Sequence, residues 1–224
     1  MNRTKIDWPG LTHTFNPVTG CKRGCKWGEG GCYAKKNWDR LHRKREGCEF
    51  EEIRFHPERM DDFLWLGRQK EPLTIFVGSM SDIEWWERST TIAILNEIQH
   101  YPKHTFMFLS KSPLVYSEYA WPANTMQGLT LTCEQTFYLQ EKMIDEILQR
   151  PRPFLSIEPL LGKLRVDLAA RELFEFGFKT FETVIVGAMT GAGKIKPQPE
   201  WIQSIKDNVP AEKIYWKKNI QEYL

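Results

Sequence analysis

The chain predicts a parallel α/β fold, and three observations carry that prediction. Six short apolar runs alternate with helical patterns along its 224 residues, the order expected of repeated strand–helix–strand units. The runs are almost wholly apolar, as in Ile75-Phe76-Val77 and Val184-Ile185-Val186, which suits strands covered by helices. Polar residues gather just after the runs, at Ser79-Met80-Ser81-Asp82, Ser110-Lys111-Ser112, Cys133-Glu134-Gln135, Glu158 and Thr190-Gly191-Ala192-Gly193-Lys194. In parallel α/β folds the active site forms at this carboxyl end of the strands.

The first strand is expected at 12–15, and a cysteine-rich loop follows it. A helix over 33–45 places Ala34, Trp38 and Leu41 on one face. The second strand, 74–77, leads to a helix over 90–100 that carries Ile92, Ile94, Leu95 and Ile98. A third strand is expected at 105–109 and a fourth at 128–132. A helix over 136–149, with Leu139, Met143, Ile147 and Leu148, precedes a fifth strand at 154–157. A short helix starts at Asp167 and runs to 174; the sixth strand is at 183–186. Pro199-Glu200 opens a last helix over 200–207, because proline and acids favour the first helical turn. There are no internal repeats, low-complexity tracts or linkers, so a single domain over 1–224 is expected. Spacing alone fits an open doubly wound sheet, a partial barrel or a full barrel equally.

Composition is that of a globular chain: 41% hydrophobic, 27% charged, with 9 Trp and 13 Phe. No stretch approaches the roughly 20 apolar residues that span a bilayer, and the first residues lack the apolar core of a signal peptide. Five cysteines is an odd number, and a disulfide framework is unusual in a chain of this size. A cytoplasmic protein with reduced thiols and no membrane association is expected.

Net charge is only +2, but it is unevenly spread. Between Lys22 and Arg45 nine Lys/Arg face two acids, Glu29 and Asp39, a local excess of seven positive charges. Such an excess attracts a polyanion such as nucleic acid; it also describes a solvated helix face with no partner.

Cys21, Cys25 and Cys32 lie within twelve residues, interleaved with glycines from Gly20 onward. Glycine lets a backbone adopt positive φ and approach a bulky inorganic core. Three protein ligands leave a fourth position open for a substrate or cofactor, whereas four close the site. The competing reading is a structural zinc site completed by His13, His42 or Cys48. Cys48 and Cys133 otherwise read as bystanders, Cys133 as a small buried thiol after a strand.

A first strand followed by a three-cysteine loop resembles the radical S-adenosylmethionine enzymes. More closely, the chain resembles a phage-associated three-cysteine family of that type, much of which has no assigned function. The resemblance rests on Phe15-Asn16-Pro17-Val18-Thr19-Gly20-Cys21, Gly31-Cys32-Tyr33-Ala34 and Phe55-His56-Pro57-Glu58-Arg59. It continues through Ser79-Met80-Ser81-Asp82, Leu155-Ser156-Ile157-Glu158-Pro159-Leu160-Leu161-Gly162 and Val184-Ile185-Val186-Gly187. Six separated matches in one order cover nearly the whole chain.

The resemblance implies a partial (β/α)6 barrel like a truncated TIM barrel, with the cluster loop at 20–34. It implies a [4Fe–4S] cluster on Cys21, Cys25 and Cys32, whose fourth iron takes the amino and carboxylate groups of S-adenosylmethionine. An external one-electron donor then triggers cleavage to a 5′-deoxyadenosyl radical, and the protein supplies orientation. The spacing here is Cys-x3-Cys-x6-Cys with Gly31 before the last cysteine, not the commoner Cys-x3-Cys-x2-Cys. That departure bears on Cys25, the middle ligand.

Within such a site Ser79, Ser81 and Asp82 would receive the methionyl ammonium, for which hydroxyls and a carboxylate are suited; turn formation and helix capping explain the same residues. Thr132 and Glu134 would meet the ribose hydroxyls, and Gly187 opens a loop beside the adenosine. That loop, Gly187 to Lys194, is not a phosphate loop, because Ile195 follows the lysine. Glu158 is a candidate catalytic or ligand-binding carboxylate. Lys111 is a second catalytic candidate, facing the cofactor carboxylate or an anionic substrate, unless it is a plain surface lysine. Trp85-Trp86 and Tyr215-Trp216 either stack on bases or belong to the core. The expected substrate is a nucleobase in phage DNA or a nucleotide, modified or rearranged in the host cytoplasm. Two alternatives stand beside it: a zinc- or cluster-stabilised nucleic-acid-binding module without turnover, and a radical enzyme acting on a peptide.

Overall fold

The computed structural model describes residues 1–26, 31–41, 47–166, 177–191 and 193–224. They form a mixed α/β protein whose strands pair mainly in parallel. The chain divides into two compact units. The first comprises Met1–Ile6, Gly10–Ser110 and Ser117–Thr125; the second comprises Asp7–Pro9, Lys111–Tyr116 and Met126–Leu224.

In the first unit β1 (Asn2–Arg3) runs antiparallel to β2 (His13–Phe15). Beside β2 lies β5 (Thr74–Val77), and beside that β6 (Thr105–Ser110), both parallel. A separate two-stranded ribbon pairs β3 (Val18–Thr19) with β4 (Arg54–Phe55). Its helices are α1 (Tyr33–Leu41), α2 (Asp62–Gly67) and α3 (Arg88–Ile98). Ile94, Leu95 and Ile98 of α3 are buried, as helical spacing requires of an apolar stripe. Phe63 of α2 meets Phe15 edge-on, with ring centroids 5.2 Å apart. Burying such side chains stabilises by about 1.5–3 kcal/mol each.

In the second unit β7 (Thr125–Thr130, all but its first residue), β8 (Pro153–Ile157), β9 (Val184–Val186) and β10 (Ile214–Trp216) are all parallel neighbours. Its described helices are α4 (Phe137–Leu148) and α5 (Pro199–Asn208). Every residue of β8 and β9 is buried, the pattern of strands covered on both faces. Gly128 in β7 is a packing requirement: a Cβ there would lie 2.2 Å from the Phe154 ring.

All six expected strands are present; the second has the expected ends, and the other five have shifted ones. The fourth lies at Thr125–Thr130, not 128–132, because Gln127 is buried within it and breaks the apolar run that marks a strand. β10 was not expected: three half-buried residues give no periodic signal. The helix expected over 33–45 is seen to Leu41; residues 42–46, and the whole helix expected over 167–174, lie outside the described residues.

Candidate functional site

In the first unit the cysteine loop is stitched to the end of β5. The Gly20 amide donates to the Met80 carbonyl at 3.1 Å, and the Ser81 hydroxyl donates to the Gly20 carbonyl at 2.6 Å. Ser81 in turn accepts from the Trp86 indole at 2.9 Å. Asn16, just past β2, accepts from the Ser79 hydroxyl and the Met80 amide, each at 3.1 Å. The Tyr33 hydroxyl, next to Cys32, donates to the Ser79 carbonyl. Gly20 has φ +95°, and a Cβ on it would lie 2.2 Å from the Glu52 carbonyl oxygen. Only glycine lets the segment around Phe50 and Glu52 pass so close. The Cys21 amide is then held by the Phe50 carbonyl at 3.0 Å.

Cys21, Cys25 and Cys32 form no disulfide, and each is partly exposed. Gly24 and Gly31, which precede two of them, have φ +62° and +59°. Cys21 and Cys32 pack, with Cys48 and Met80, on a small core of Ala34, Trp38 and Phe50. The donor set suits a thiophilic metal or cluster in its chemistry: soft ligands on one glycine-bearing loop. The thiols are not gathered, however; among the described residues no group of three or more His, Cys, Asp or Glu is arranged to hold a metal ion. Residues 27–30, between Cys25 and Cys32, lie outside the described residues.

Asp82 is buried. One oxygen accepts from the Ser110 hydroxyl at 2.6 Å and from the Glu84 amide at 3.3 Å, capping a short 3-10 turn at Ile83–Trp85. The Arg23 Nε lies 3.8 Å from its other oxygen, and the Arg23 guanidinium pairs with Glu84. Ser79, Ser81 and Asp82 therefore lie together beside the cysteine loop, with hydrogen bonds to the protein at each side chain. Trp86 is buried, as a core aromatic rather than an open stacking surface.

A cavity of about 310 Å³ opens in the same unit, lined by Thr14, Asn16, Thr19, Trp38, Arg59 and Asp62 among others. Arg59 donates to the Asn16 carbonyl at 2.7 Å, and His56, buried, shares a 2.7 Å hydrogen bond with the Thr19 hydroxyl. Sequence reasoning assigned no role to Asn16, Thr19, His56 or Arg59. The available signal was their place in the two motifs that bracket the cysteine loop, Phe15 to Cys21 and Phe55 to Arg59.

In the second unit three successive strand ends converge. Glu158 follows β8, Gly187 follows β9 and Lys217 follows β10. The Lys217 ammonium pairs with Glu158 Oε1, and the Trp8 indole donates to Glu158 Oε2 at 3.3 Å. A Cβ on Gly187 would lie 2.9 Å from Lys217 Cδ and 3.2 Å from Glu158 Cδ. Asn219 brackets the next residue, accepting from the Ala188 amide at 3.3 Å and donating to its carbonyl at 2.7 Å. Asp7 accepts from the Tyr215 hydroxyl and the Lys218 amide, each at 2.7 Å. Burial raises the Asp7 carboxyl, but the Lys218 amide, the Tyr215 hydroxyl and the Lys217 and Lys218 charges outweigh it and hold the group below its ordinary value.

Thr132 is buried just past β7, its hydroxyl 3.4 Å from both Glu134 Oε2 and Gln135 Oε1. Glu134 itself is exposed. Cys133 has φ +65° and is buried, which pushes its thiol far up; such a thiol is inert. A Cβ on Gly162 would lie 2.2 Å from the Cys133 carbonyl oxygen, so this turn is shaped by packing. Lys111 directly follows β6 and is half-buried.

The basic flank is partly compensated. Lys35 bonds to Glu51 and approaches Asp39 at 3.8 Å; the Glu51 hydrogen bond holds its ammonium above the ordinary value. Arg40 donates to Asn37, Lys36 is exposed, and Arg43, Lys44 and Arg45 lie outside the described residues.

This is a mixed α/β protein, mainly parallel, with a three-thiol loop at the end of one strand. It belongs to the family described as Protein of unknown function (DUF5131), whose profile matches residues 3–223. No curated protein matches its sequence. Among solved structures it is similar to a spore photoproduct lyase mutant, with a TM-score of 0.53 and 13% identity over 94% of this chain. The chain spans 66% of that lyase's length. At that identity the likeness is one of fold. Among the described residues no helix is long and apolar enough to cross a membrane.

Proposed function

We propose that the chain is a radical S-adenosylmethionine enzyme, a partial (β/α)6 barrel acting on a nucleobase in nucleic acid or on a nucleotide. One junction carries this conclusion: the cysteine loop leaves β3 through Gly20, and Gly20 is hydrogen-bonded to the polar segment after β5. A three-thiol donor set and a group of hydroxyl and carboxylate side chains thus share one strand-end surface. The sequence resemblance supports the same class, and so does the fold likeness to a lyase named for a photoproduct.

Cys21, Cys25 and Cys32 would hold a [4Fe–4S] cluster. Once reduced by an external donor, such a cluster supplies the electron that opens the sulfonium of S-adenosylmethionine. The chain's own side chains bind and orient. Ser79, Ser81 and Asp82 lie beside the loop for the methionyl ammonium; Thr132, Glu134 and Gly187 serve the nucleoside. Lys111, after β6, and Glu158, after β8 and paired with Lys217, would be the candidate contacts to substrate. Modification of a pyrimidine in phage DNA, within the host cytoplasm, is the concrete form of this proposal.

The test is cofactor cleavage. Anaerobically reconstituted, reduced protein should convert S-adenosylmethionine slowly to methionine and 5′-deoxyadenosine without substrate. Cys21→Ala, Cys25→Ala and Cys32→Ala should each abolish this and the brown cluster absorption, while Cys48→Ala keeps both. Loss in Cys48→Ala with retention in Cys25→Ala would overturn the ligand set.

A further inference from the structure

The cysteine loop carries a cation that the proposed reaction has not yet used. Arg23 stands two residues after Cys21 and two before Cys25. Two residues of chain reach about 7 Å at most, so the Arg23 backbone stays close to both cysteines. Its guanidinium leaves the loop for the segment after β5. There it pairs with Glu84, and its Nε lies 3.8 Å from Asp82 Oδ2.

That segment holds the loop at three points. Gly20 meets Met80 and Ser81 at the start of the loop. Arg23 meets Glu84 in its middle, and Tyr33 meets Ser79 at its end. Of the three, only the middle contact joins two charges. Arg23 and Glu84 are 27% and 28% exposed, so water screens the pair only in part. Asp82, beside them, is buried. Arg23 Nε is also buried and has no hydrogen-bond partner among the described residues. A buried donor in that state costs stability, so this guanidinium is not placed for the best tether alone.

Its charge supplies the reason. One guanidinium and two carboxylates leave the segment with a single net negative charge, which still attracts an ammonium. The potential of an iron–sulfur centre follows the net charge and the hydrogen bonds around it. Arg23 is bound by the chain to two of the three cysteines, and a cation there favours an added electron. Glu84 comes from another element, and its pairing offsets part of that effect. We propose that Arg23 is the positioning residue of the three-thiol loop and sets the potential of the centre held there, with Glu84 as the counter-charge that aims it. This rests on the radical-enzyme reading above and deepens it at the same site.

The test is a redox titration of the anaerobically reconstituted protein, followed by absorbance, with iron counted in every sample. Arg23→Met should lower the midpoint potential, and Glu84→Gln should raise it. Arg23→Lys keeps the charge and should stay near the wild type. A tether without an electrostatic role would lose iron in both variants and leave the potential of the remaining clusters unchanged. Unchanged potentials, or shifts of the same sign in Arg23→Met and Glu84→Gln, would overturn the assignment. Where Arg23→Met does not fold or load iron, the exchanged pair, Arg23→Glu with Glu84→Arg, keeps the contact between charges. It should still lower the potential, because the anion is now the member fixed beside the cysteines; a wild-type value there would also overturn the assignment. A wild type that takes up no iron overturns the enzyme reading, and this assignment with it, so the iron count tells the two failures apart.

Discussion

Asp82 has two jobs open to its one carboxylate. It caps a 3-10 turn and accepts from Ser110, so Asp82→Ala should cost about 1–3 kcal/mol of stability. Asp82→Asn keeps an acceptor oxygen and should cost less, yet it removes the charge that an ammonium would need. A loss of S-adenosylmethionine affinity in Asp82→Asn, with the melting temperature near wild type, is the expected result. Equal affinity in both proteins would leave Asp82 with the cap alone. Asp7 is a second residue with a readable outcome. Its folded-state pKa lies below the ordinary 3.8, so the stability it contributes is present above that value and lost as pH falls through the folded value. Asp7→Asn should therefore flatten the acid limb of the stability curve below about pH 4. An unchanged limb in urea titrations would contradict the role given to the Tyr215 and Lys218 contacts.

Among the elements, the Gly20 crossing is the most constrained. Gly20→Ala meets a positive-φ penalty of about 1–2 kcal/mol and a backbone contact at 2.2 Å that cannot relax by side-chain rotation. Denaturant unfolding should show a loss above about 2 kcal/mol, together with poor iron uptake; a wild-type midpoint would refute the close approach. The strands were legible because Ile75-Phe76-Val77 and Val184-Ile185-Val186 are short, apolar and β-branched. The cysteine loop stood out because three thiols within twelve residues are rare in a plain turn, whereas Ser79, Ser81 and Asp82 did not, since serine and aspartate also serve turns and caps. Lys217 was not legible. It lies in an aromatic and basic run with no strand periodicity, and its partner, Glu158, is fifty-nine positions away. The same limit hid Asn16 and His56, whose meaning comes from partners across the fold. The basic stretch after the loop misled in part, since composition shows charges but not that Lys35 is paired to Glu51.

For the molecule as a whole, a single domain was expected, and the contacts form two compact units. If the units fold together, tryptophan fluorescence and far-ultraviolet circular dichroism should follow one coincident unfolding transition; two separated transitions would make them independent domains. The central claim, that the three-thiol loop holds a redox cluster, is tested most directly by composition. Protein purified without oxygen should be brown and contain about four irons and four sulfides per chain. Colourless protein carrying about one zinc per chain would contradict the claim and make the loop a structural knot.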